Sequence, residues 1–275
     1  MSSNERLALY IQTRFPVSRY VPLSFFLAAA GLAPVTPVPH VCWIFAPFLA
    51  LGLVLQLRLW DDIADRDHDR KMHPDRVLCQ AEDLWPFIVA AFGLFVLNGV
   101  LILVYHGGIE KLLAYLVLCA CLQAWYCLRS NVARDSVVNT LYILLKYPVV
   151  AWLVSVSSAD RHLPLLLLCL FSVYLISIIF ELLDDLSIRQ KPGAMFSLSA
   201  SFCALVCTWI LIMLWSRPFS SQLAWVLWVI VLIATLMHGY SVFSKLKHGE
   251  GALGGRRFFM IGLLAYIATS VEKTA

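Results

Sequence analysis

Residues 41–76 read VCWIFAPFLALGLVLQLRLWDDIADRDHDRKMHPDR, an apolar run that ends abruptly in acidic and basic side chains. The apolar part, 41–60, has the length of about 20 residues that an α-helix needs to cross the hydrocarbon core of a bilayer. Six aspartates follow within the fifteen residues 61–75. This stretch therefore predicts a membrane-spanning helix with a dense acidic cluster at one membrane surface.

Four of the six aspartates lie on one face if the helix continues beyond its apolar part. At about 100° per residue they share a sector of about 100° with Arg58, whereas Asp67 points the opposite way. Carboxylates crowded in this way repel one another unless a cation neutralises them, and an all-oxygen set favours Mg²⁺ shared with substrate phosphates over zinc. A solvated, charged loop is the alternative interpretation. The four aligned candidates are Asp61, Asp62, Asp65 and Asp69.

The composition excludes an ordinary soluble domain, because 61% of the residues are hydrophobic, only 14% are charged and the mean hydropathy is +0.80. No cleavable signal peptide pattern and no domain linker is visible. The sequence predicts an all-α, polytopic membrane bundle in which residues 1–275 form one domain. Nine spans are predicted at 17–35, 41–60, 84–105, 110–128, 137–157, 162–183, 196–216, 222–243 and 255–271.

Basic residues are distributed unevenly between the two sides of this bundle. With the N-terminus inside, the inner segments hold 16 of the 21 Lys and Arg residues and the outer segments hold four, while Lys146 lies within a span. The positive-inside rule then places the N-terminus and the aspartate cluster in the cytoplasm. No basic tract is interleaved with aromatic residues, so nucleic-acid binding is not expected. The eight cysteines lie mostly in apolar spans and show no C-x-x-C pairing, which indicates buried residues.

A second acidic group, FELLDDLS at 180–187, ends the sixth predicted span. Glu181, Asp184 and Asp185 are spaced i, i+3 and i+4 and therefore share one helix face, which Tyr174 extends into the membrane. Carboxylates at this depth cost free energy and are usually functional. Solvation of the helix end is the alternative for the two aspartates. Both acidic groups lie on the same predicted side of the membrane, so the two helix ends are expected to face each other across a cavity.

A lysine in the middle of the fifth predicted span is unusual. Lys146 follows Asn139 and Tyr142 on one helix face, and an intramembrane ammonium needs a phosphate, a carboxylate or a route to the surface. Pairing with a phosphate or carboxylate, a structural ion pair, and a misplaced span boundary all remain open. His68 and His73 are predicted to be loop residues and not metal ligands.

The motif DDxxDxxxDR at 61–70, followed by Pro74, resembles the first signature of the UbiA superfamily of intramembrane prenyltransferases. The nine predicted spans, the RFP entry at 14–16, the acidic group after the sixth span and the basic residue within the fifth also resemble that family's layout. The resemblance implies a helical bundle around a lipid-open central cavity, with both acidic motifs at its cytoplasmic mouth. Mg²⁺ and an isoprenyl diphosphate would bind there.

The resemblance also implies roles for individual residues. The implied catalytic residues are Asp62, Asp65, Asp69 and Asp185. The implied metal ligands are Asp61, Asp62, Asp65, Asp69, Glu181, Asp184 and Asp185. The residues expected to bind the diphosphate are Arg58, Arg70, Lys146 and Tyr174. The chain departs from the family pattern at Asp61, where Asn is commonest, and in the second motif, where Glu181 replaces the first Asp and Ile188 stands in place of a later acid.

The expected function is Mg²⁺-dependent transfer of a prenyl group from an isoprenyl diphosphate in the membrane to a small acceptor, most commonly an aromatic ring. Neutralisation of the diphosphate promotes ionisation, and aromatic side chains shelter the carbocation. The aromatic candidates in or near spans are Trp85, Trp125, Tyr126, Trp152, Tyr174, Trp225 and Trp228.

Other functions remain as alternatives. A membrane-bound terpene cyclase of the same scaffold would act on the isoprenyl diphosphate without an acceptor. A CDP-alcohol phosphotransferase would need a D-x-x-D-G-x-x-A-R motif, which the chain lacks. A transporter would be expected to show Gly- or Pro-broken spans at corresponding positions of its two halves, and none is evident. The sequence specifies neither the acceptor, the prenyl chain length nor the oligomeric state.

Overall fold

The computed structural model describes residues 3–34, 40–106, 108–129, 136–156, 163–184, 189–215, 222–247 and 256–271, and within these ranges every regular element is a helix. The helices, numbered here in chain order, are α1 (Ser3–Arg14), α2 (Val17–Leu32), α3 (His40–Ala64), α4 (Arg66–Met72), α5 (Val77–Gln80), α6 (Trp85–His106), α7 (Ile109–Leu128), α8 (Val137–Leu144), α9 (Lys146–Leu153), α10 (Leu163–Asp184), α11 (Ala194–Trp215), α12 (Gln222–Lys247) and α13 (Arg256–Val271).

The chain is a multi-pass integral membrane protein, as predicted. In the described ranges six helices are long and apolar enough to cross a membrane, or seven if α1 and α2, which are bent by 66° at Phe15-Pro16, cross as one span. Val137–Leu153 and Arg257–Ile267 are apolar but shorter. The all-helical bundle is therefore confirmed, whereas the count of nine spans is not. The six long spans are His40–Ala64, Trp85–His106, Ile109–Leu128, Leu163–Asp184, Ala194–Trp215 and Val226–Ser244.

Proline residues account for two of the breaks between helices. Pro16, which precedes α2, has an extended backbone conformation. The helical conformation is disfavoured for the residue before a proline, here Phe15, so α1 ends at Arg14. Pro148 has no N–H to donate to the carbonyl of Leu144, and the fifth predicted span breaks into α8 and α9 at Leu145. The break places Lys146 at the first turn of α9.

The short helix α2 lies at the centre of the bundle, where it packs against α3, α9, α10 and α13. Its second half is buried and rich in small residues, including Ala28, Ala29, Ala30 and Gly31. Small side chains allow neighbouring backbones to approach closely. A Cβ at Gly31 would overlap the carbonyl oxygen of Ala151 in α9.

We expect Gly31→Ala to destabilise the protein by about 1–3 kcal/mol, because the added methyl group would push apart two helix backbones that cannot yield without repacking. Thermal unfolding in detergent measures the effect. Gly93→Ala is the matched control, since a Cβ at Gly93 meets nothing within 4 Å. Equal melting temperatures for the two variants would contradict the close approach of α2 and α9.

Helix α9 is held at both ends by side chains from other helices. At its C-terminus Lys111 donates to the carbonyl of Trp152 and to Ser155 Oγ, the latter at 2.9 Å, and a ring nitrogen of His106 lies 2.6 Å from the carbonyl oxygen of Leu153. A cation at a helix C-terminus is favourable because the last carbonyls lack intrahelical partners. Its N-terminal residue, Lys146, forms an ion pair with Asp61. Both contacts fix α9 next to the acidic motif.

Candidate functional site

The first acidic motif begins on α3 and continues on α4. The backbone bends at Asp65, but it keeps the helical pattern, since the amide of Asp65 donates to Asp61 and that of Asp69 donates to Asp65. Asp67 is exposed, on the face that the helical period predicts. The other four carboxylates each have a different basic partner.

Asp61 is buried between three helices, α3, α7 and α9. Its carboxylate accepts a hydrogen bond from the hydroxyl of Tyr126 in α7 and pairs with the ammonium of Lys146 in α9. Lys146 therefore pairs with a carboxylate, and since this ion pair links α3 to α9 it is also a structural ion pair. Such a pair tolerates burial because each charge has a hydrogen-bonded partner. The predicted span boundary was misplaced as well, because the helix breaks at Leu145.

Asp62 has the largest set of partners. Arg14 Nε lies 3.1 Å from Oδ2 and Arg14 Nη2 lies 2.9 Å from Oδ1, while the hydroxyl of Tyr10 donates to Oδ2 at 2.8 Å. Arg58, one turn earlier on α3, lies 3.3 Å from Oδ1. Both Tyr10 and Arg14 belong to α1, a helix that the hydropathy pattern did not predict.

Asp65 pairs with Arg129, which follows α7, and Asp69 pairs with Arg76 in the turn before α5. Between these pairs, two arginines on α4 bind backbone carbonyls of the segment that carries α5. Arg70 Nε lies 3.2 Å from the carbonyl oxygen of Cys79, and Arg66 donates to the carbonyls of Leu78 and Ala81. Burial and the nearby Asp69 raise the pKa of the Cys79 thiol, so this cysteine stays neutral near pH 7.

The main cavity near this region has a volume of about 340 Å³ and lies between α2, α3, α9, α10 and α13, below the turn that precedes α5. Three arginines and two carboxylates face it, together with four aromatic side chains. Arg19 lies 3.3 Å from Asp184 and 4.7 Å above the ring of Phe180. The lining residues are Arg19, Tyr20, Leu23, Arg58, His73, Arg76, Tyr147, Ser177, Phe180, Glu181, Asp184 and Phe259.

The structure brings only part of the expected site to this cavity. Arg58, Glu181 and Asp184 line it. Asp185 lies outside the described residues. The hydroxyl of Tyr174 donates to the carbonyl of Leu141, 3.0 Å away. The other expected site residues that are absent from the described lining are Asp61, Asp62, Asp65, Asp69, Arg70 and Lys146.

Several lining residues were missed by the sequence analysis. Arg19 and Arg76 were counted only among the basic residues of the inner segments. The aromatic residues at the cavity are Tyr20, Tyr147, Phe180 and Phe259. These four are not the aromatic residues that the sequence analysis expected. Of the expected ones, Trp125 stacks on Tyr142, and the carbonyl of Trp152 accepts a hydrogen bond from Lys111. The side chain of Trp225 lies outside the described part of the chain. Proximity to Glu181 was the signal available for Phe180, since the two are adjacent in sequence.

The fit of Mg²⁺ differs between the two acidic motifs. In the described part of the chain, no group of three or more Asp, Glu, His or Cys side chains is arranged to hold a metal ion. The first motif's carboxylates are each engaged by a basic side chain, so as arranged they do not fit a metal. Glu181 and Asp184 both face the cavity, and Mg²⁺ is commonly held by one or two carboxylates together with substrate phosphates. The second motif therefore fits a metal ion shared with a phosphate ligand.

In comparisons with known proteins, no protein-family model matches the sequence, and no curated protein is significantly similar to it. A solved structure of a digeranylgeranylglyceryl phosphate synthase in membranes is similar to this chain with a TM-score of 0.63. The similarity covers 98% of this chain and 100% of the other, at 16% sequence identity. The two chains therefore share one fold over almost their whole length, and at this sequence identity the similarity shows the fold alone.

Proposed function

We propose that this protein is an intramembrane prenyltransferase that binds the diphosphate of an isoprenyl diphosphate in the 340 Å³ cavity. The observation that carries the proposal is the lining of that cavity, where three arginines and two carboxylates meet four aromatic side chains at one end of an apolar bundle. A planar guanidinium binds phosphate oxygens through two parallel N–H donors. An apolar bundle around the polar end suits a substrate with a charged head and a hydrocarbon tail.

The reaction breaks the C–O bond between the allylic carbon and the diphosphate, which leaves with both electrons. A carbon or oxygen of the acceptor then bonds to the prenyl carbon and loses a proton. Arg19, Arg58 and Arg76 are placed to stabilise the charge that develops on the diphosphate. The rings of Tyr20, Tyr147, Phe180 and Phe259 offer π-electron density to the carbocation and exclude water from it.

Mg²⁺ belongs to this proposal at the second acidic motif. Glu181 and Asp184 would hold it together with diphosphate oxygens, and Asp185 is proposed as a further ligand from its sequence position. When bound, the ion would add to the neutralisation of the leaving group.

The acceptor has two candidate classes. The family resemblance favours a small aromatic ring. The structure with the shared fold is that of a digeranylgeranylglyceryl phosphate synthase. This neighbour suggests a prenylated glycerol phosphate lipid as the second class of acceptor.

Incubation of membranes containing the protein with geranyl, farnesyl or geranylgeranyl diphosphate and Mg²⁺ tests the proposal. Each donor is supplied alone, with a hydroxylated aromatic acid, and with geranylgeranylglyceryl phosphate, and the products are analysed by mass spectrometry. A prenylated acceptor is the expected result. A cyclic hydrocarbon or alcohol formed without an acceptor would identify a cyclase instead. No release of diphosphate from any donor would contradict both.

We further propose that the cavity opens towards the cytoplasm, because the basic residues concentrate at that end. A cysteine introduced at exposed Asp67 should react with a membrane-impermeant maleimide only from the cytoplasmic side. One introduced at exposed Glu110, in the first turn of α7, should react only from the opposite side. The parent protein, with its eight cysteines, sets the background. Labelling of both positions from one side would refute this orientation.

A further inference from the structure

We propose that Asp62 and Asp69 are positioning residues that orient Arg58 and Arg76 towards the diphosphate, and that they are not metal ligands. This inference rests on the proposed function, because it concerns how the same cavity binds its anion. The resemblance to prenyltransferases implies the opposite role for both aspartates. The arrangement of the carboxylates and arginines favours the role proposed here.

The carboxylates lie behind the arginines with respect to the main cavity. Asp62 and Asp69 both line a separate cleft of about 10 Å³, which has room for about one water molecule. Neither carboxylate is among the described lining residues of the 340 Å³ cavity, whereas Arg58 lines that cavity and Arg76 lines both spaces. A diphosphate in the larger space therefore meets guanidinium groups first.

The hydrogen-bonding capacity of Asp62 is already used. A carboxylate offers about four acceptor positions. Asp62 receives the Tyr10 hydroxyl, two nitrogens of Arg14 and one nitrogen of Arg58, at 2.8 to 3.3 Å. A metal ion could bind there only by displacing Tyr10 or an arginine, and this would leave a partly buried polar group without its partner at a cost in free energy.

The arginines, by contrast, retain donors for a ligand. A guanidinium has five N–H donors, and the ion pairs with Asp62 and Asp69 each use one nitrogen of Arg58 and Arg76. Arg58 Nε is buried and has no hydrogen-bond partner in the described structure. An arginine side chain loses about 2 kcal/mol of rotamer entropy when it is fixed. A carboxylate that fixes the arginine before the ligand binds therefore reduces the entropy cost of ligand binding.

The Asp69–Arg76 pair gives the cleaner test, since Asp62 also holds Arg14 and Tyr10. Binding of inorganic diphosphate to the purified full chain is measured by calorimetry, once in EDTA and once in saturating Mg²⁺. The variants are Asp69→Asn, Arg76→Gln and the double variant. Asp67→Asn is the matched control, because Asp67 lies on the same helix but is exposed. Thermal unfolding of each variant confirms that it is folded, and Asp69→Glu serves as a second variant that keeps the charge.

We expect Asp69→Asn to weaken diphosphate binding about tenfold in EDTA and by the same factor in Mg²⁺. Because Asp69 and Arg76 are in contact, the effects of the two substitutions should not add. The double variant should bind no more weakly than Arg76→Gln alone. Asp69→Glu should leave the apparent affinity for Mg²⁺ unchanged, and Asp67→Asn should bind like the parent.

The contrary outcomes separate this inference from the proposed function. If Asp69→Asn weakens binding only in Mg²⁺, or if Asp69→Glu lowers the affinity for Mg²⁺, Asp69 is a metal ligand and the positioning role is wrong. The positioning role is also wrong if the parent binds diphosphate only in Mg²⁺, or if Asp69→Asn has no effect in either condition. If the parent binds no diphosphate in EDTA or in Mg²⁺, the proposed function itself fails.

Discussion

Replacement of Arg58 by methionine is expected to lower kcat/KM for the prenyl donor about 10²- to 10³-fold, the size of effect seen when one preorganised donor to a developing negative charge is removed. Arg58 lies within the spanning helix α3 and lines the cavity. A cation from the solvent would not replace it at the same position or at the same cost in free energy. The variant should fold, because Asp62 keeps Arg14 and Tyr10 as partners. Steady-state kinetics with the donor varied measures the loss.

Two further variants make the Arg58 prediction specific. Arg58→Lys keeps the charge but loses the planar fork, so we expect an intermediate loss of about tenfold. Lys71→Met removes an exposed positive charge at the same end of the bundle and should leave kcat/KM unchanged. If Lys71→Met lowers kcat/KM as much as Arg58→Met does, the effect is a general loss of surface charge and Arg58 has no special place in the site.

The helical fold was predictable because hydropathy is a local property of the sequence. The long spans, such as Trp85–His106 and Leu163–Asp184, match their predicted segments closely. The span count was harder to predict because helix length also depends on packing. The 16-residue α2 is short for a span, yet it is buried at the centre of the bundle, and α8 and α9 are two halves of one predicted helix.

The site was only partly predictable, because its electrostatic partners come from distant parts of the chain. The helical period aligned the first motif's aspartates correctly around exposed Asp67, but it gave no information about which cations reach them. Arg14 is 48 residues from Asp62, and Arg129 is 64 residues from Asp65. The expected metal cluster is therefore, in this structure, a set of separate ion pairs. The second motif, where Glu181 and Asp184 share a face, was placed at the cavity as its spacing indicated.

Chelation of divalent cations with EDTA is expected to abolish turnover, and added Mg²⁺ is expected to restore it. Three arginines and two carboxylates face the cavity, so the protein alone can bind a diphosphate but does not neutralise the charge that develops on it as the C–O bond breaks. Glu181 and Asp184 suit a hard cation that also binds phosphate oxygens. Turnover that persists after thorough chelation would contradict this prediction.

Glu181 identifies which motif provides the metal dependence. Glu181→Gln keeps the size of the side chain and removes its charge, so we expect it to raise the Mg²⁺ concentration for half-maximal activity about 10- to 100-fold without loss of folding. Glu181→Asp should retain partial activity, because the carboxylate remains but reaches less far. Glu82→Gln is the matched control, since Glu82 is exposed and absent from the described lining of the cavity. If Glu181→Gln requires no more Mg²⁺ than Glu82→Gln, Glu181 has a structural role, and the metal dependence must originate elsewhere in the chain.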